Sequence, residues 1–190
     1  MVEPKRWHSR GYLPHLDQPG LLQFITFRLS DSLPAVVLHR LAAETADDEA
    51  ERYRRIEAYL DAVYGACWLR RSEIATLVQD ALLHFDGARY RLLARVVMPN
   101  HIHVLIETKR HFPLPGVLQS WKGFTARKAN ALLGLSGAFW HRDYYDRYIR
   151  DDAHLAAVTR YIDHNQVKAG LATNAADWPF GSAGFIGGAS

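Results

Sequence analysis

The chain is poor in cysteine and has no long apolar run. Cys67 is the only cysteine among 190 residues. A single cysteine excludes an internal disulfide and a cysteine-based zinc site, and it is typical of a protein in a reducing compartment. No segment approaches membrane-spanning length, and residues 1–8 contain no apolar leader. We therefore expect a cytoplasmic protein with no membrane partner.

Length and composition favour one folded domain. A chain of 190 residues with 48% hydrophobic content can bury a proper core, and this content argues against disorder. No internal repeat or linker stands out. We predict a domain over residues 1–180 and a flexible Gly- and Ser-rich tail over 181–190.

Positive charge is concentrated in one part of the chain. The net charge is only +3, but residues 89–150 hold eleven Lys or Arg against three acidic residues, a net charge of +8. Such a segment is typical of a surface that binds a polyanion. A solvated basic face without a binding role is the alternative.

Two histidines two residues apart lie in a predicted strand. Side chains at i and i+2 of a strand share a face, so His101 and His103 project together while residues 102, 104 and 106 project from the other face. The strand-like run 90–98 precedes them, and Pro99 and Asn100 predict a tight hairpin between the two runs. Two imidazoles on one face can bind a divalent metal ion. The alternative is two polar residues near the start of a strand.

The order of predicted elements indicates an α+β fold. Strands are expected at 21–29, 89–108 (the hairpin) and 144–149, and helices at 34–63, 72–85, 114–133 and from 151 or 152 to about 170. This order is a ferredoxin-like split βαβ plan with an antiparallel sheet, an extra helix in the N-terminal half and a C-terminal helix. Such a plan covers one face of the sheet with helices and leaves the other open for ligands.

The last helix presents a phenol and an amide on one side. Tyr161 and Asn165 are four residues apart, beside the apolar stripe of Leu155, Val158 and Ile162. A phenol and a carboxamide in this arrangement could both reach one metal-bound phosphate. A packed tyrosine with a solvated hydroxyl is the alternative, and with nine tyrosines in the chain the spacing alone does not select Tyr161.

Six segments in a fixed order resemble one protein family. They are residues 10–15 (RGYLPH), 23–34 (QFITFRLSDSLP), 98–104 (MPNHIHV), 120–126 (SWKGFTA), 145–150 (YDRYIR) and 161–171 (YIDHNQVKAGL). In this order they resemble the REP-associated tyrosine transposases, a branch of the single-tyrosine HUH transposases. The resemblance is spread over most of the chain.

The resemblance implies a fold, an activity and a site. The fold is ferredoxin-like with a C-terminal catalytic helix. His101 and His103 would bind Mg²⁺ or Mn²⁺, Asn165 would be the third ligand, and Tyr161 would be the catalytic nucleophile. The activity would be nicking and strand transfer of single-stranded DNA with hairpin repeats, through a 5′-phosphotyrosine, by a monomer or a homodimer. Gln166 departs from the family, which usually has proline there, and this mildly weakens the case for full activity.

Other functions remain as alternatives. A domesticated transposase could bind hairpin DNA without catalysis, although all four expected site residues are present. Replication initiators and relaxases of the HUH class are usually embedded in larger proteins. A phosphoesterase with two His-x-Thr/Ser motifs fits poorly because only one His-x-His is present.

Cations on the fourth predicted helix and the last predicted strand are expected to contact DNA phosphates. They are Lys122, Arg127, Lys128, Arg147 and Arg150. The aromatic residues Trp121 and Phe124, interleaved with the first three, are expected to face the core.

Overall fold

The computed structural model describes residues 20–46 and 48–184, together with the backbone of 7–9 and 14–16. The strands are β1 (Trp7–Ser9), β2 (Pro14–Leu16), β3 (Leu22–Arg28), β4 (Tyr90–Val97), β5 (His101–Thr108) and β6 (Tyr145–Tyr148). The helices are α1 (Ala35–Glu44), α2 (Glu49–Asp61), α3 (Ser72–Leu83), α4 (Leu114–Leu133) and α5 (Asp152–Lys168), with short 3₁₀ turns at Trp68–Arg70 and Ala175–Asp177. Among the described residues, no helix is both long and apolar enough to span a membrane.

The main sheet has the strand order β4-β5-β3-β6, and each neighbouring pair is antiparallel. With α3 between β3 and β4, and α4 between β5 and β6, this is the split βαβ arrangement. The predicted fold class and the predicted hairpin are confirmed. The register places Thr26 opposite His103 and Arg28 opposite His101, so β3 supplies the neighbours of both histidines.

One face of the sheet packs on α3 and α4. Ile102, Val104 and Ile106 of β5 are fully buried there with Val78 of α3 and Trp121 of α4. This is the face that the alternation of β5 predicts to be apolar. The packing fixes β5 as a rigid central strand and directs its histidines to the opposite face.

The opposite face was expected to be open, and this expectation is wrong. Ile162 of α5 packs on Phe24, Val96 and Leu105 of the sheet, and Tyr53 of α2 joins the same cluster. Two amphipathic helices therefore cover the histidine face because each has an apolar side to bury. In consequence the histidines are fully buried.

The predicted helix over 34–63 is two helices in the structure. α1 ends where the Thr45 hydroxyl donates to the Leu41 carbonyl, at 2.6 Å. Asp48 begins α2, because its side chain accepts a hydrogen bond from the Glu51 backbone N–H at 2.8 Å. Arg52 of α2 donates to the Thr45 carbonyl at 2.8 Å and holds the corner together. The caps at Thr45 and Asp48 thus interrupt the helix where the composition alone favours one continuous helix.

Gln166, which stands where the family usually has proline, does not prevent the last helix from ending soon after it. α5 ends at Lys168, and Gly170 follows in the left-handed conformation at φ +69°. Gln166 is buried, and its Nε2 donates to the carbonyls of Asp163 at 2.7 Å and Ala175 at 2.9 Å. Gln166 therefore ties the end of α5 to the chain that follows.

Part of the predicted tail packs on the body of the protein. The Ser182 hydroxyl lies 2.8 Å from Asp163 Oδ1 and 3.1 Å from the Arg95 carbonyl. Residues 185–190 lie outside the described residues, and the predicted domain over 1–180 stays a prediction.

Candidate active site

The imidazole of His101 is held in one orientation and one tautomer. Its Nδ1 lies 2.8 Å from Asn100 Oδ1, and Asn100 in turn donates through Nδ2 to the Tyr64 carbonyl at 3.0 Å. Burial, together with the neighbouring His103, lowers the pKa of His101 to about 3, so the ring is neutral. Because Asn100 Oδ1 can only accept, the His101 proton is on Nδ1. The lone pair of His101 Nε2 is therefore available to a metal ion.

The imidazole of His103 faces the same point. Its Nε2 lies 3.1 Å from His101 Nε2, and its Nδ1 lies 2.8 Å from Thr26 Oγ1. The Phe24 ring stacks on the His103 ring, with 5.4 Å between centroids. The Nε2 atoms of His101 and His103 thus converge. Each ring is oriented by a partner on its Nδ1, as metal-binding histidines commonly are.

A third group at this point, Glu57 of α2, was not among the predicted site residues. Its Oε2 lies 3.3 Å from His103 Nε2, and candidate ligand atoms of Glu57, His101 and His103 all lie within 4.8 Å of one another. Glu57 Oε1 is buried and has no hydrogen-bond partner among the described residues. A buried carboxylate oxygen without a partner beside two imidazoles is the arrangement expected of a metal ligand.

The charge of Glu57 is stabilised despite its burial. Burial by itself raises the pKa of this carboxyl group. The imidazoles of His103 and His101, with the hydrogen bond from Tyr161, outweigh it and lower the Glu57 pKa to about 2. A sequence signal did exist, because Glu57 interrupts the inward stripe of Tyr53, Ile56 and Leu60 on α2. Acidic side chains are almost never fully buried unless they are paired, so a carboxylate within an apolar stripe is an informative position.

Tyr161 of α5 reaches the same cluster. Its hydroxyl donates to Glu57 Oε2 at 2.5 Å, and its ring lies against the rings of His103 and Phe24 at centroid distances of 5.3 and 5.9 Å. Burial, followed by the Glu57 carboxylate, raises the pKa of Tyr161 well above its usual 10. The resting side chain is thus a neutral phenol whose proton points at a carboxylate.

Asn165 lies one turn after Tyr161 and is fully buried. Neither polar atom of its amide makes a hydrogen bond of good geometry within the described part of the chain, although the amide is near enough to Tyr161 to lower the pKa of that phenol. A buried amide in this condition is costly unless a ligand engages it. The donor set of two imidazoles, one carboxylate and one nearby amide therefore fits a divalent ion that accepts mixed nitrogen and oxygen ligands.

A comparison with known families identifies the family of this chain. The family model described as "Transposase IS200 like" matches residues 71–165, which is half of the chain. The chain belongs to the IS200-like transposase family. The matched region includes the hairpin, both histidines, Tyr161 and Asn165, whereas Glu57 lies outside it. The family predicted from the six sequence motifs is confirmed.

One solved structure of a transposase shows the same fold, and a second solved structure aligns less well. A REP-associated tyrosine transposase bound to a REP hairpin is similar at a TM-score of 0.55 and 17% identity, over 96% of this chain and 82% of that chain. A Deinococcus radiodurans R1 protein, also assigned as a transposase, aligns at a TM-score of 0.39 and 16% identity, over 83% of this chain and 96% of that chain. No curated protein matches the chain.

Two of the predicted DNA-binding residues of this transposase lie on the histidine side of the sheet. Arg147 of β6 stands opposite Phe24 of β3, so it shares the face that carries His103. Arg150 precedes α5, and its backbone N–H donates to His154 Nδ1 at 3.2 Å. Both arginine side chains are exposed. The structure thus brings Arg147 and Arg150 to the edge of the site face.

The other three predicted cations lie on α4, behind the sheet. Arg127 and Lys128 are exposed there. Lys122 Nζ donates to the carbonyls of His141 at 2.7 Å and Arg142 at 2.8 Å, and burial lowers its pKa to about 8. These three residues are not brought together with the histidine cluster.

The two aromatic residues of α4 that were expected to face the core differ in their burial. Trp121 is buried as expected and donates through Nε1 to the Tyr90 hydroxyl at 2.9 Å. Phe124 is 42% exposed, so its expected place in the core is wrong. It lies three residues before Arg127 on the outer side of α4, where it leaves an aromatic surface beside cations.

Proposed function

We propose that this protein is a metal-dependent single-stranded DNA endonuclease and strand transferase that works through a 5′-phosphotyrosine. The observation that carries the proposal is the position of the Tyr161 hydroxyl, 2.5 Å from a carboxylate that itself contacts His103. A potential nucleophile, its proton acceptor and a set of metal ligands therefore share one buried point.

Each residue of the candidate site has its own proposed role. His101, His103 and Glu57 would hold a divalent ion such as Mn²⁺ or Mg²⁺, with Asn165 as a further donor. The ion supplies Lewis-acid polarisation of the scissile phosphate when it is bound. Glu57 Oε2 accepts the hydrogen bond of the Tyr161 hydroxyl and orients it.

The proposed reaction conserves the phosphodiester. Tyr161 Oη forms a bond to phosphorus, the bond from phosphorus to the 3′ oxygen breaks, and the tyrosine proton is balanced by the proton that the leaving 3′ oxygen gains. A free phenol has a pKa of about 10, against about 15.7 for water, so a tyrosine oxygen is the better leaving group in the reverse step. Burial and Glu57 raise the pKa of Tyr161 above this value, and a cation at the site would oppose that effect. A later 3′ hydroxyl can therefore displace Tyr161 and rejoin strands without an added energy source, which hydrolysis would prevent.

Hairpin DNA is the proposed target. The similar transposase structure is bound to a REP hairpin, and the basic segment 89–150 of this chain suits a nucleic acid. We propose that Arg147 and Arg150 contact the strand that enters the site, and that Arg127, Lys128 and Lys122 contribute farther away if the DNA extends behind the sheet.

The proposed function predicts a covalent protein–DNA species that depends on metal. The protein is mixed with labelled single strands from both flanks of its gene, with Mn²⁺ or Mg²⁺, and run on a denaturing gel. We expect label at the size of the protein, and none in EDTA or in His101→Ala, since either change removes the metal. DNA binding by His101→Ala should persist.

His84→Ala is the matched control, because His84 is an exposed histidine at the end of α3. It should form the covalent species as the wild type does. Cleavage without a covalent species would replace the proposal with a metal–water nuclease. Hairpin binding with neither would favour the domesticated, non-catalytic binder.

The placement of cations predicts a salt dependence. The affinity for a single strand should fall steeply with salt, because each neutralised phosphate contributes a slope of about −0.7 in log–log form. Arg147→Ala/Arg150→Ala should flatten this slope by about 1.4 if both contact phosphates. Fluorescence anisotropy at several salt concentrations measures it.

Arg127→Ala/Lys128→Ala removes the same charge from behind the sheet and is the control for this pair. With a short single strand it should change the slope less. Equal slopes for the two double variants would contradict the proposed path of the strand.

A further inference from the structure

A cavity of about 310 Å³ lies between the α1–α2 pair and the segment 141–145 that leads into β6. Its floor is made by buried Leu41 and Leu60, and exposed Ala35 and His39 stand at its rim. Its volume is at the small end of the range for ligand pockets, about 300–1,000 Å³. The cavity therefore suits one small group and excludes a duplex.

The cavity shares a wall with the candidate active site. Thr26 and Glu57 both line it. Both also touch His103, with Thr26 Oγ1 2.8 Å from Nδ1 and Glu57 Oε2 3.3 Å from Nε2. A group that fills the cavity thus lies one side chain away from the metal ligands. In a nucleic acid, a base is separated from the phosphate of its own or the next nucleotide by a distance comparable to that between the cavity and the metal ligands.

The walls have the chemistry of a base-binding pocket. Tyr53 and Tyr145 line the cavity and stack on each other, with centroids 3.7 Å apart and planes 17° apart. Arg28, His141 and Asp143 add cationic, neutral and anionic polar groups to the same lining. Flat aromatic surface with a few polar groups is what unpaired bases bind in proteins that extrude or stack them.

We propose that this cavity binds one unpaired base of the DNA strand whose phosphate reaches Tyr161. The inference rests on the proposed function, which brings a single strand to this point of the molecule. It adds that the protein itself reads a base beside the scissile phosphate. The α1–α2 pair, which lies outside the region matched by the family model, forms one side of the reading site.

Filling the cavity tests the proposal without any cleavage. Ala42 of α1 lines the cavity, whereas Ala43 is exposed and does not. Affinity is measured by anisotropy in EDTA for 20-nucleotide strands of dA, dC and dT and for an abasic strand of equal length. Ala42→Phe should weaken binding of at least one base-bearing strand by about fivefold or more, the effect of losing one stacked base. Binding of the abasic strand should not change, and Ala43→Phe should match the wild type on every strand.

A second variant covers the case in which Ala42→Phe lowers the melting temperature. Ala35→Trp at the exposed rim fills the mouth without entering the core, and the same selective loss is expected. Wild-type affinity in both cavity variants overturns the proposal. An equal loss on abasic DNA, or a wild type that does not distinguish abasic from base-bearing strands, also overturns it.

The two proposals fail in different ways. A selective loss in EDTA without any covalent species in Mn²⁺ would keep the base site and reject the phosphotyrosine mechanism. A covalent species, with no effect of either cavity variant on binding, would keep the phosphotyrosine mechanism and reject the base site.

Discussion

Tyr161→Phe should eliminate the covalent protein–DNA species and lower strand cleavage by at least about a thousandfold, the scale of losing a nucleophile. Only the phenolic oxygen is removed, so the ring can still pack against Phe24 and His103. Binding of single-stranded DNA in EDTA should be retained. The measurements are the denaturing gel with Mn²⁺ and anisotropy with the same labelled strand.

The same substitution should also affect stability. It takes away the donor that Glu57 Oε2 now has at 2.5 Å. Leaving a buried group without this partner costs about 1–3 kcal/mol. Urea unfolding of the metal-free protein should show a loss in that range, and a bound divalent ion should restore part of it.

Tyr148→Phe is the control for both measurements. Tyr148 is on β6 and is 38% exposed, so its hydroxyl can be removed with little effect on stability. It should form the covalent species normally. A species that persists in Tyr161→Phe would mean that another residue is the nucleophile, and the labelled peptide from a digest would identify it.

Much of the arrangement of the candidate site could be predicted because it depends on local periodicity. The alternation of residues 101–106 places both histidines on one face whatever covers that face. The spacing of Tyr161 and Asn165 likewise puts them on one side of any helix. These relations involve few residues, and the resemblance to a family then selected Tyr161 among nine tyrosines.

The features that could not be predicted depend on contacts between residues that are far apart in the sequence. Glu57 and Tyr161 are 104 residues apart, and nothing in the pattern near Glu57 says which residue its carboxylate meets. The break between α1 and α2 depends on side-chain caps at Thr45 and Asp48, which compete with an otherwise helical composition. The cover that α2 adds to the histidine face, beside that of α5, follows from the same break, since the break lets α2 pack against the sheet.

Sequence and structure suggest different residues as the candidate third metal ligand. The resemblance implies Asn165 beside the two histidines, whereas the structure places the Glu57 carboxylate within ligand distance of the cluster. The two sets differ in charge, because an amide is neutral and a carboxylate is anionic. A hard divalent ion is held more tightly by the anionic set.

Glu57→Gln should therefore lower the affinity for Mn²⁺ by tenfold or more, since even outer partners of metal ligands are worth about 10–100-fold. The amide oxygen can still accept the Tyr161 hydrogen bond, so the shape of the site is kept while its charge is lost. Isothermal titration calorimetry with Mn²⁺ measures the change, and DNA binding in EDTA should stay at the wild-type level.

Glu49→Gln is the matched control, because Glu49 is an exposed carboxylate on the same helix. It should leave the Mn²⁺ affinity unchanged. If Glu57→Gln also binds Mn²⁺ as the wild type does, Glu57 is not a ligand, and Asn165→Ala should then show the larger loss. Should both variants lose affinity, the ion is held by four side chains from three elements: α2, β5 and α5. The metal would then lock α2 and α5 onto the sheet, and its removal would loosen the helix that carries the nucleophile.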